Sequence, residues 1–401
     1  MVVRFPFFIP ARCDAPGAFR VRSILFIAAL IAWGLFSSLD PRSIAEAALP
    51  APPQVDARAW YLMDAHSGQM LAGSHADERH APASLTKMLT SYVVFAEMAR
   101  GKFDLETEVP VSWNARRMTG SRMFLEADTR VSVEALLKGL IIQSGNDAAV
   151  ALAEFVSGDE KSFANLMNRH AGHLGMTKSH FTNASGLSEA DQYSTAKDTA
   201  YLAAALVRDF PDYYPWHAIR EYEYGGIVQP NRNPLLGLDP SVDGLKTGYT
   251  DDALYCLVAS AKRDGMRLVV SVLGAKSNAD RRRFSQALLD YGFEFYETRL
   301  LYNAGESLVD ARIWKGETDK VPLGITEDLY ITLPRGEHGG LGVTTDLVRI
   351  SAPVRVDEIQ GLVRISHEEN IVAERPLVAL RDIARGSLWQ VAKDQILLLI
   401  Q

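Results

Sequence analysis

The run PASLTKMLTSYVVFAEMARG, residues 82–101, organises the sequence around it. Leu85, Met88, Leu89, Tyr92, Val93, Phe95 and Ala96 recur at the spacing that lines one face of an α-helix, which Pro82 opens and Gly101 stops. Ser84 and Lys87 stand three residues apart at the start of that helix, so their side chains share a face. A serine hydroxyl is a weak nucleophile until a base takes its proton. A lysine is such a base when burial or neighbouring cations lower its pKa. The helix N-terminus also favours developing negative charge. Taken alone, a serine near a helix cap and a solvated lysine have the same spelling, so the neighbouring segments decide.

Upstream, Trp60–Met63 and Gln69–Ala72 flank His66-Ser67-Gly68 and read as a hairpin. Downstream, helical patterns cover 132–142, 146–156, 159–173 and 195–208, the first two broken by Ser144-Gly145-Asn146. The segment 211–244, rich in Pro, Gly, Asn and Tyr, is mostly loop with short strands. Leu245–Tyr249, Tyr255–Ala261 and Leu268–Leu273 are apolar β-type runs separated by turn residues, which predicts a meander. An amphipathic helix is predicted over 278–300. This is an α/β (α+β) pattern: an antiparallel sheet flanked by helices, over residues 48–303. After Asn303 short Val/Ile/Leu runs (307–313, 328–333, 345–350, 352–356, 361–366, 370–380) alternate with turns, predicting a small all-β domain over 304–385. Residues 386–401 change again. Leu388, Trp389, Ala392, Ile396, Leu399 and Ile400 share one sector of a helical wheel, with Gln390, Lys393, Asp394 and Gln401 mostly opposite. Such a helix suits a membrane interface, or docking on the β domain.

At 401 residues, with 47% hydrophobic and 23% charged residues, the chain has an ordinary globular composition, which excludes a disordered or multi-span membrane protein. The net charge of −7 gives no footprint for nucleic-acid binding. Two cysteines, Cys13 and Cys256, exclude a disulfide scaffold and a multi-cysteine metal site. His170, His173 and His180 read as surface or helix-end histidines, and no metal or other cofactor is expected. At the N-terminus, Arg4, Arg12, Arg20 and Arg22 precede an apolar run from Ile24 to Phe36 and then Ala45-Glu46-Ala47. That order, with a core too short to span a bilayer comfortably, reads as a secretory signal peptide over 1–47.

Two further motifs matter. Ser144-Gly145-Asn146 places a hydroxyl and an amide on a tight interhelical turn, where they can relay a proton and hold a substrate amide; Asn capping the next helix is the plainer alternative. Lys246-Thr247-Gly248 lies on a predicted strand. A cation and a hydroxyl there suit a substrate carboxylate along a sheet edge, and the glycine lets another chain approach closely. In order and in context, the three motifs resemble the serine penicillin-recognising enzymes, specifically the D-alanyl-D-alanine carboxypeptidases of low molecular mass. The similarity extends to ASLTKMLTSYVV (83–94), GLIIQSGNDAAVALA (139–153), QYSTAKD (192–198), NRNPLL (231–236) and VDGLKTGYT (242–250), and covers about residue 55 to the C-terminus.

The resemblance implies an acyl-transfer site. Ser84 would be the nucleophile, Lys87 its base, and Ser144 with Lys246 the route of a proton to the leaving D-alanine. Asn146 would hold the substrate amide, Gly248 would allow its close approach, and Thr247 and Arg232 would bind the terminal carboxylate. The backbone N–H groups of Ser84 and Tyr249 would form the oxyanion hole. Tyr249 departs from the histidine frequent in that family, but a backbone N–H is available from any residue except proline. The implied partners are peptidoglycan stem peptides and lipid-linked precursors, β-lactams as covalent inhibitors, and a membrane surface contacted by the C-terminal helix. The implied location is the outer face of the bacterial cytoplasmic membrane, and there the all-β domain serves as a stalk. A class A β-lactamase is the rival on the same scaffold, but the middle motif is Ser-Gly-Asn and no Glu-x-x-Leu-Asn segment occurs. A binding scaffold without turnover is the other.

Overall fold

The computed structural model describes residues 49–400 except His338 and Glu369, so the proposed signal segment, Cys13 and Gln401 lie outside the described residues. The predicted hairpin forms as β1 (Ala59–Asp64) and β2 (Met70–Ser74). The helix carrying the first motif is α1 (Thr86–Ala99), entered through a tight 3₁₀ turn over Ala83–Leu85. Then come β3 (Glu108–Pro110), α2 (Trp113–Arg116), β4 (Arg130–Ser132) and α3 (Val133–Lys138). The helix predicted over 132–142 stops early. Gly139–Gln143 widens into a π turn, and Ser144 takes a left-handed conformation with φ 68°. Gly139 packs directly on Met123: a Cβ would stand 2.3 Å from the methionine sulfur, so a larger residue would displace that side chain.

Helices α4 (Asn146–Ser157), α5 (Glu160–His173) and α6 (Ala196–Asp209) follow close to their predicted places. The polar segment yields the hairpin β5 (Glu221–Tyr224) and β6 (Ile227–Pro230). The predicted meander is β7 (Val242–Thr250), β8 (Leu254–Arg263) and β9 (Met266–Ala275). These strands build one antiparallel sheet in the order β2-β1-β9-β8-β7, so β7 is an edge. Period-two alternation sends Tyr61, Val258 and Val269 to one face, against α1 and α4–α6, and Leu62, Leu257 and Val270 to the other. That second face is covered by α7 (Asn278–Phe295) through Phe284, Leu288 and Leu289.

The helix predicted over 278–300 ends at Phe295. Tyr296 turns extended (φ −121°, ψ 157°) and its hydroxyl donates to the Leu71 carbonyl at 3.2 Å. The β-forming run from there is β10 (Tyr296–Tyr302). The remaining strands are β11 (Ser307–Trp314), β12 (Lys320–Gly324), β13 (Leu329–Pro334), β14 (Leu341–Leu347), β15 (Ile350–Ser351), β16 (Ile359–His367) and β17 (Asn370–Ala379). They form a sheet ordered β14-β16-β17-β12-β11-β15 and a pair β10-β13 around a separate apolar core. Sequence periodicity had no sign of β12. The run 352–356 is not a strand: Pro353 lacks a ladder N–H, and only Val354 makes a bridge, to Ile383.

A polar joint links the two parts. Asp64, fully buried at the end of β1, accepts from the Ser67 N–H (2.7 Å) and from the Thr298 hydroxyl on β10 (2.8 Å). Thr332 on β13 shares hydrogen bonds with both Ser67 (2.6 Å) and Thr298 (2.8 Å). The last helix, α8 (Leu388–Ile400), begins with a capping box. The Ser387 Oγ accepts from Gln390 N–H, and the Gln390 Oε1 accepts from Ser387 N–H. Its Asp394 faces the β domain and accepts from the Lys315 N–H at 2.5 Å.

Candidate active site

The Ser84 turn is held from two sides. Ala83, buried and with φ 47°, forces the chain into the sharp turn that presents Ser84 ahead of α1. Strand β7 lies directly against it: a Cβ on Gly248 would be 3.1 Å from the Pro82 carbonyl oxygen and 3.4 Å from the Ser84 nitrogen. Glycine is therefore the residue that lets the nucleophile turn and the strand share one cleft. Gly186 (φ 86°) does the same on the opposite wall, where a Cβ would overlap the Ala83 carbonyl.

Lys87 lies one turn beyond Ser84 and is 1% exposed. Its Nζ donates to Ser84 Oγ (2.9 Å), Asn146 Oδ1 (2.7 Å) and the Ser185 carbonyl (2.5 Å). Burial, reinforced by the Arg232 charge and opposed by Asp147, brings its pKa down to about 7. The ammonium form uses all three acceptors. The neutral amine keeps two donors, for Asn146 and Ser185, and turns its lone pair to Ser84 Oγ.

The middle motif brings Ser144 and Asn146 to the same cleft, both nearly buried. Asn146 is engaged on both sides, its Oδ1 by Lys87 and its Nδ2 by the Thr119 carbonyl at 2.6 Å. The adjacent Asp147 clamps the 118–125 segment over the site, accepting from the N–H groups of Met123 (3.0 Å) and Leu125 (3.1 Å). Strand β7 supplies Lys246 and Thr247, 3% and 5% exposed. Burial and the charges of Lys87, Arg232 and Arg281 push the Lys246 pKa well below its ordinary value. Beneath it, His217 is buried and kept neutral, its pKa lowered to about 4 mainly by desolvation.

Arg232 is exposed on the rim. Its turn is pinned by Asn231, whose Nδ2 donates to the Ile219 carbonyl (2.9 Å) and whose Oδ1 accepts from Asn233 N–H (2.9 Å). Tyr249 stands half-exposed at the mouth, its hydroxyl donating to Asp251 at 3.0 Å and its ring 4.6 Å from that of Tyr255. The cleft, about 350 Å3, is lined by Ser84, Ser144, Asn146, Arg232, Thr247 and Tyr249 among others, while Lys87 and Lys246 lie behind its wall, Lys87 reaching Ser84 and Lys246 donating to the Thr247 carbonyl at 3.0 Å. Among the described residues no cluster of His, Cys, Asp and Glu is placed to hold a metal ion.

Three contributors were not picked out from sequence: Ser185, Asp147 and Arg281. Ser185 acts through its carbonyl, which residue type does not announce. Its turn is built by Asn183, whose Oδ1 accepts from the N–H groups of Ser185 (3.2 Å) and Gly186 (2.7 Å), and the Asn-Ala-Ser-Gly spelling was the available signal. Asp147 was visible only as an acidic residue in the first turn of a helix. Arg281, on α7, reaches the cleft from 35 residues beyond Lys246, and nothing local marks it.

A serine beside a depressed lysine, a second buried lysine and a rim arginine form an anion-seeking site for acyl transfer. The profile of the D-alanyl-D-alanine carboxypeptidases matches residues 46–277, and that of the penicillin-binding protein 5 C-terminal domain matches residues 296–385. The D-alanyl-D-alanine carboxypeptidase DacA of Escherichia coli K12 is 39% identical over 361 residues, 88% of this chain and 89% of that protein. The crystal structure of penicillin-binding protein 5 from Haemophilus influenzae superimposes with a TM-score of 0.78 at 36% identity, covering 84% of this chain and all of that one. Penicillin-binding protein D2 of Listeria monocytogenes, solved in an ampicillin-bound form, gives a TM-score of 0.56 at 29% identity, covering 60% of this chain and 100% of that one. With this match running through both the helix-and-sheet part and the β-domain, the chain belongs to the D-alanyl-D-alanine carboxypeptidase family.

Proposed function

We propose that this chain is a serine D-Ala-D-Ala carboxypeptidase that removes the terminal D-alanine of peptidoglycan pentapeptide stems, in the polymer and on lipid-linked precursors. The observation that carries the reading is Lys87: buried, 2.9 Å from Ser84 Oγ, and with a pKa near 7. Neutral Lys87 takes the Ser84 proton as Oγ bonds to the carbonyl carbon of the penultimate D-alanine. The carbonyl electron pair moves onto oxygen and is met by the N–H groups of Ser84 and Tyr249. Collapse breaks the C–N bond, and the proton taken by Lys87 passes through Ser144, with Lys246 nearby, to the departing amine, which returns Lys87 to its neutral form. Water then attacks the ester, giving the shortened stem and restoring the Ser84 hydroxyl. Asn146 Oδ1 has a second lone pair for the substrate amide while it holds Lys87. Thr247 and Arg232 bind the terminal carboxylate, the arginine through two parallel N–H donors. A β-lactam follows the same acylation and stays on Ser84.

The same reading places the enzyme at the outer face of the cytoplasmic membrane, exported by residues 1–47 and held by residues 386–401. Its support is the exposure of α8: Leu388 (91%), Trp389 (79%) and Leu399 (79%) face solvent, while Asp394 faces the β domain. No helix among the described residues is long and apolar enough to cross a membrane, and the exposed apolar side chains of α8 are what supports an interfacial attachment.

The test uses the mature protein beside Ser84→Ala, with a diacyl-Lys-D-Ala-D-Ala peptide and a fluorescent penicillin. D-alanine release and labelling are both expected, and both should vanish in the variant. Labelling with hydrolysed penicillin released and no D-alanine would replace the reading with a β-lactamase. Neither signal from folded protein would leave a binding scaffold.

A further inference from the structure

Arg281 is 7% exposed, and its hydrogen-bond acceptors are backbone carbonyls and an amide rather than a carboxylate. Its Nη1 donates to the carbonyls of Gly248 and Cys256, both at 3.0 Å, and its Nε donates to Asn278 Oδ1 at 2.8 Å. Taking a guanidinium out of water is expensive, and burial lowers its pKa to about 10. A charge held at such cost against a main-chain carbonyl in the cleft wall calls for an account.

The Gly248 carbonyl belongs to the same peptide unit as the Tyr249 N–H. That unit is trans, so its C=O and N–H point in opposite directions in one plane. A cation on the oxygen fixes the plane, aims the N–H away from α7, and draws electron density toward the oxygen, which makes the N–H a stronger donor. Strand β7 is an edge, so no further strand holds this peptide on its cleft side.

We propose that Arg281 is a positioning residue for acyl transfer: by donating to the Gly248 carbonyl it orients and polarises the peptide whose Tyr249 N–H meets the oxyanion. The inference rests on the oxyanion role of Tyr249 N–H proposed above. Asn278 steadies the guanidinium from its other side.

The test compares Arg281→Met, Arg281→Lys and Asn278→Ala with the parent enzyme. The readouts are kcat and KM for the D-Ala-D-Ala peptide, and the Ki of a peptidyl boronic acid whose adduct places an anionic oxygen in the hole. Losing a whole oxyanion donor lowers kcat about 10²–10³-fold; weakening one is expected to cost roughly 10-fold in Arg281→Met. The boronate Ki should rise by the same factor, with KM changed less than about twofold. Arg281→Lys, which keeps a cationic donor, should recover part of the loss, and the exposed Asn278→Ala should show a smaller loss of the same kind. A raised KM with kcat intact would overturn the proposal in favour of direct contact with the substrate carboxylate. Unchanged kinetics in Arg281→Met, or equal loss in Met and Lys, would also overturn it. Tyr249→Pro separates the underlying reading: if folded protein lacking that N–H still acylates normally, the oxyanion assignment itself fails.

Discussion

The cleft and the C-terminal helix break the same rule in opposite directions. The cleft buries basic groups, the amines of Lys87 and Lys246 and the guanidinium of Arg281, in a protein interior. Helix α8 buries a carboxylate, Asp394, and turns Leu388, Trp389, Ile396 and Leu399 to water. Interiors ordinarily exclude unpaired charge, and surfaces of monomers ordinarily lack contiguous apolar patches. On the proposed function each violation is met by complementary chemistry: an anionic acyl substrate in the first case, a lipid interface in the second. The lesson is that a local cost, read for its sign, names the missing partner.

The largest effect that sharpens this comparison is chemical. Lys87→Met should lower the rate of penicillin acylation by about 10³-fold or more, since it removes the base and leaves only binding and the oxyanion hole. Stopped-flow labelling measures it. At the other pole, deleting 386–401 should move the mature protein from the membrane to the soluble fraction while kcat/KM on a soluble peptide stays within about twofold. A truncated protein that still pellets would place the anchor elsewhere. The pH dependence comes next. With the folded Lys87 pKa near 7, acylation should rise about tenfold per unit below that value and level off above it. A flat profile between pH 5 and 8 breaks the assignment of Lys87 as base.

The smallest effects test the energetics. Lys246→Met removes a desolvated amine whose burial is unfavourable, so chemical denaturation should show about 1–3 kcal/mol more stability even as turnover is lost. The sign can be checked independently. Lys246 carries a lowered folded pKa, so the parent should gain stability as pH rises from its folded toward its unfolded value, and the variant should lack that slope. Asp394→Ala leaves the Lys315 N–H without its acceptor and should weaken the docking of α8 by about 1–2 kcal/mol, read as faster proteolysis near Gly386 with membrane binding retained.

How far the sequence reached follows from the range of the forces. Ser84, Lys87, Ser144 and Asn146 were legible because they sit at or near element ends that periodicity and Gly/Pro punctuation mark, Lys246 because Lys-Thr-Gly interrupts an apolar β-type run, and all of them because their order matches a family. The three adjacent strands β7–β9 were legible because a sheet covered on both faces leaves short apolar β-type runs, and turn residues separate them. What escaped depended on distant partners. The end of α7 at Phe295 is set by β10 pairing with β13, more than 30 residues on, and by Tyr296 reaching Leu71. Strand β12 is short and finds its place between β11 and β17. Arg281 looked like one more arginine in Asp280-Arg-Arg-Arg283, and only the fold separates it from its exposed neighbours Arg282 and Arg283.

The joint of Asp64 and Ser67 with Thr298 and Thr332 works as a lock whose key is cut into both halves. A buried carboxylate cannot be left with half its donors, so the β domain is not an interchangeable handle. Grafting residues 296–400 onto another catalytic part would demand an acidic residue at the position of Asp64 and a hydroxyl at that of Ser67. Without them the exchange would strand two threonines or an aspartate in the seam. Modularity here extends only as far as four side chains agree.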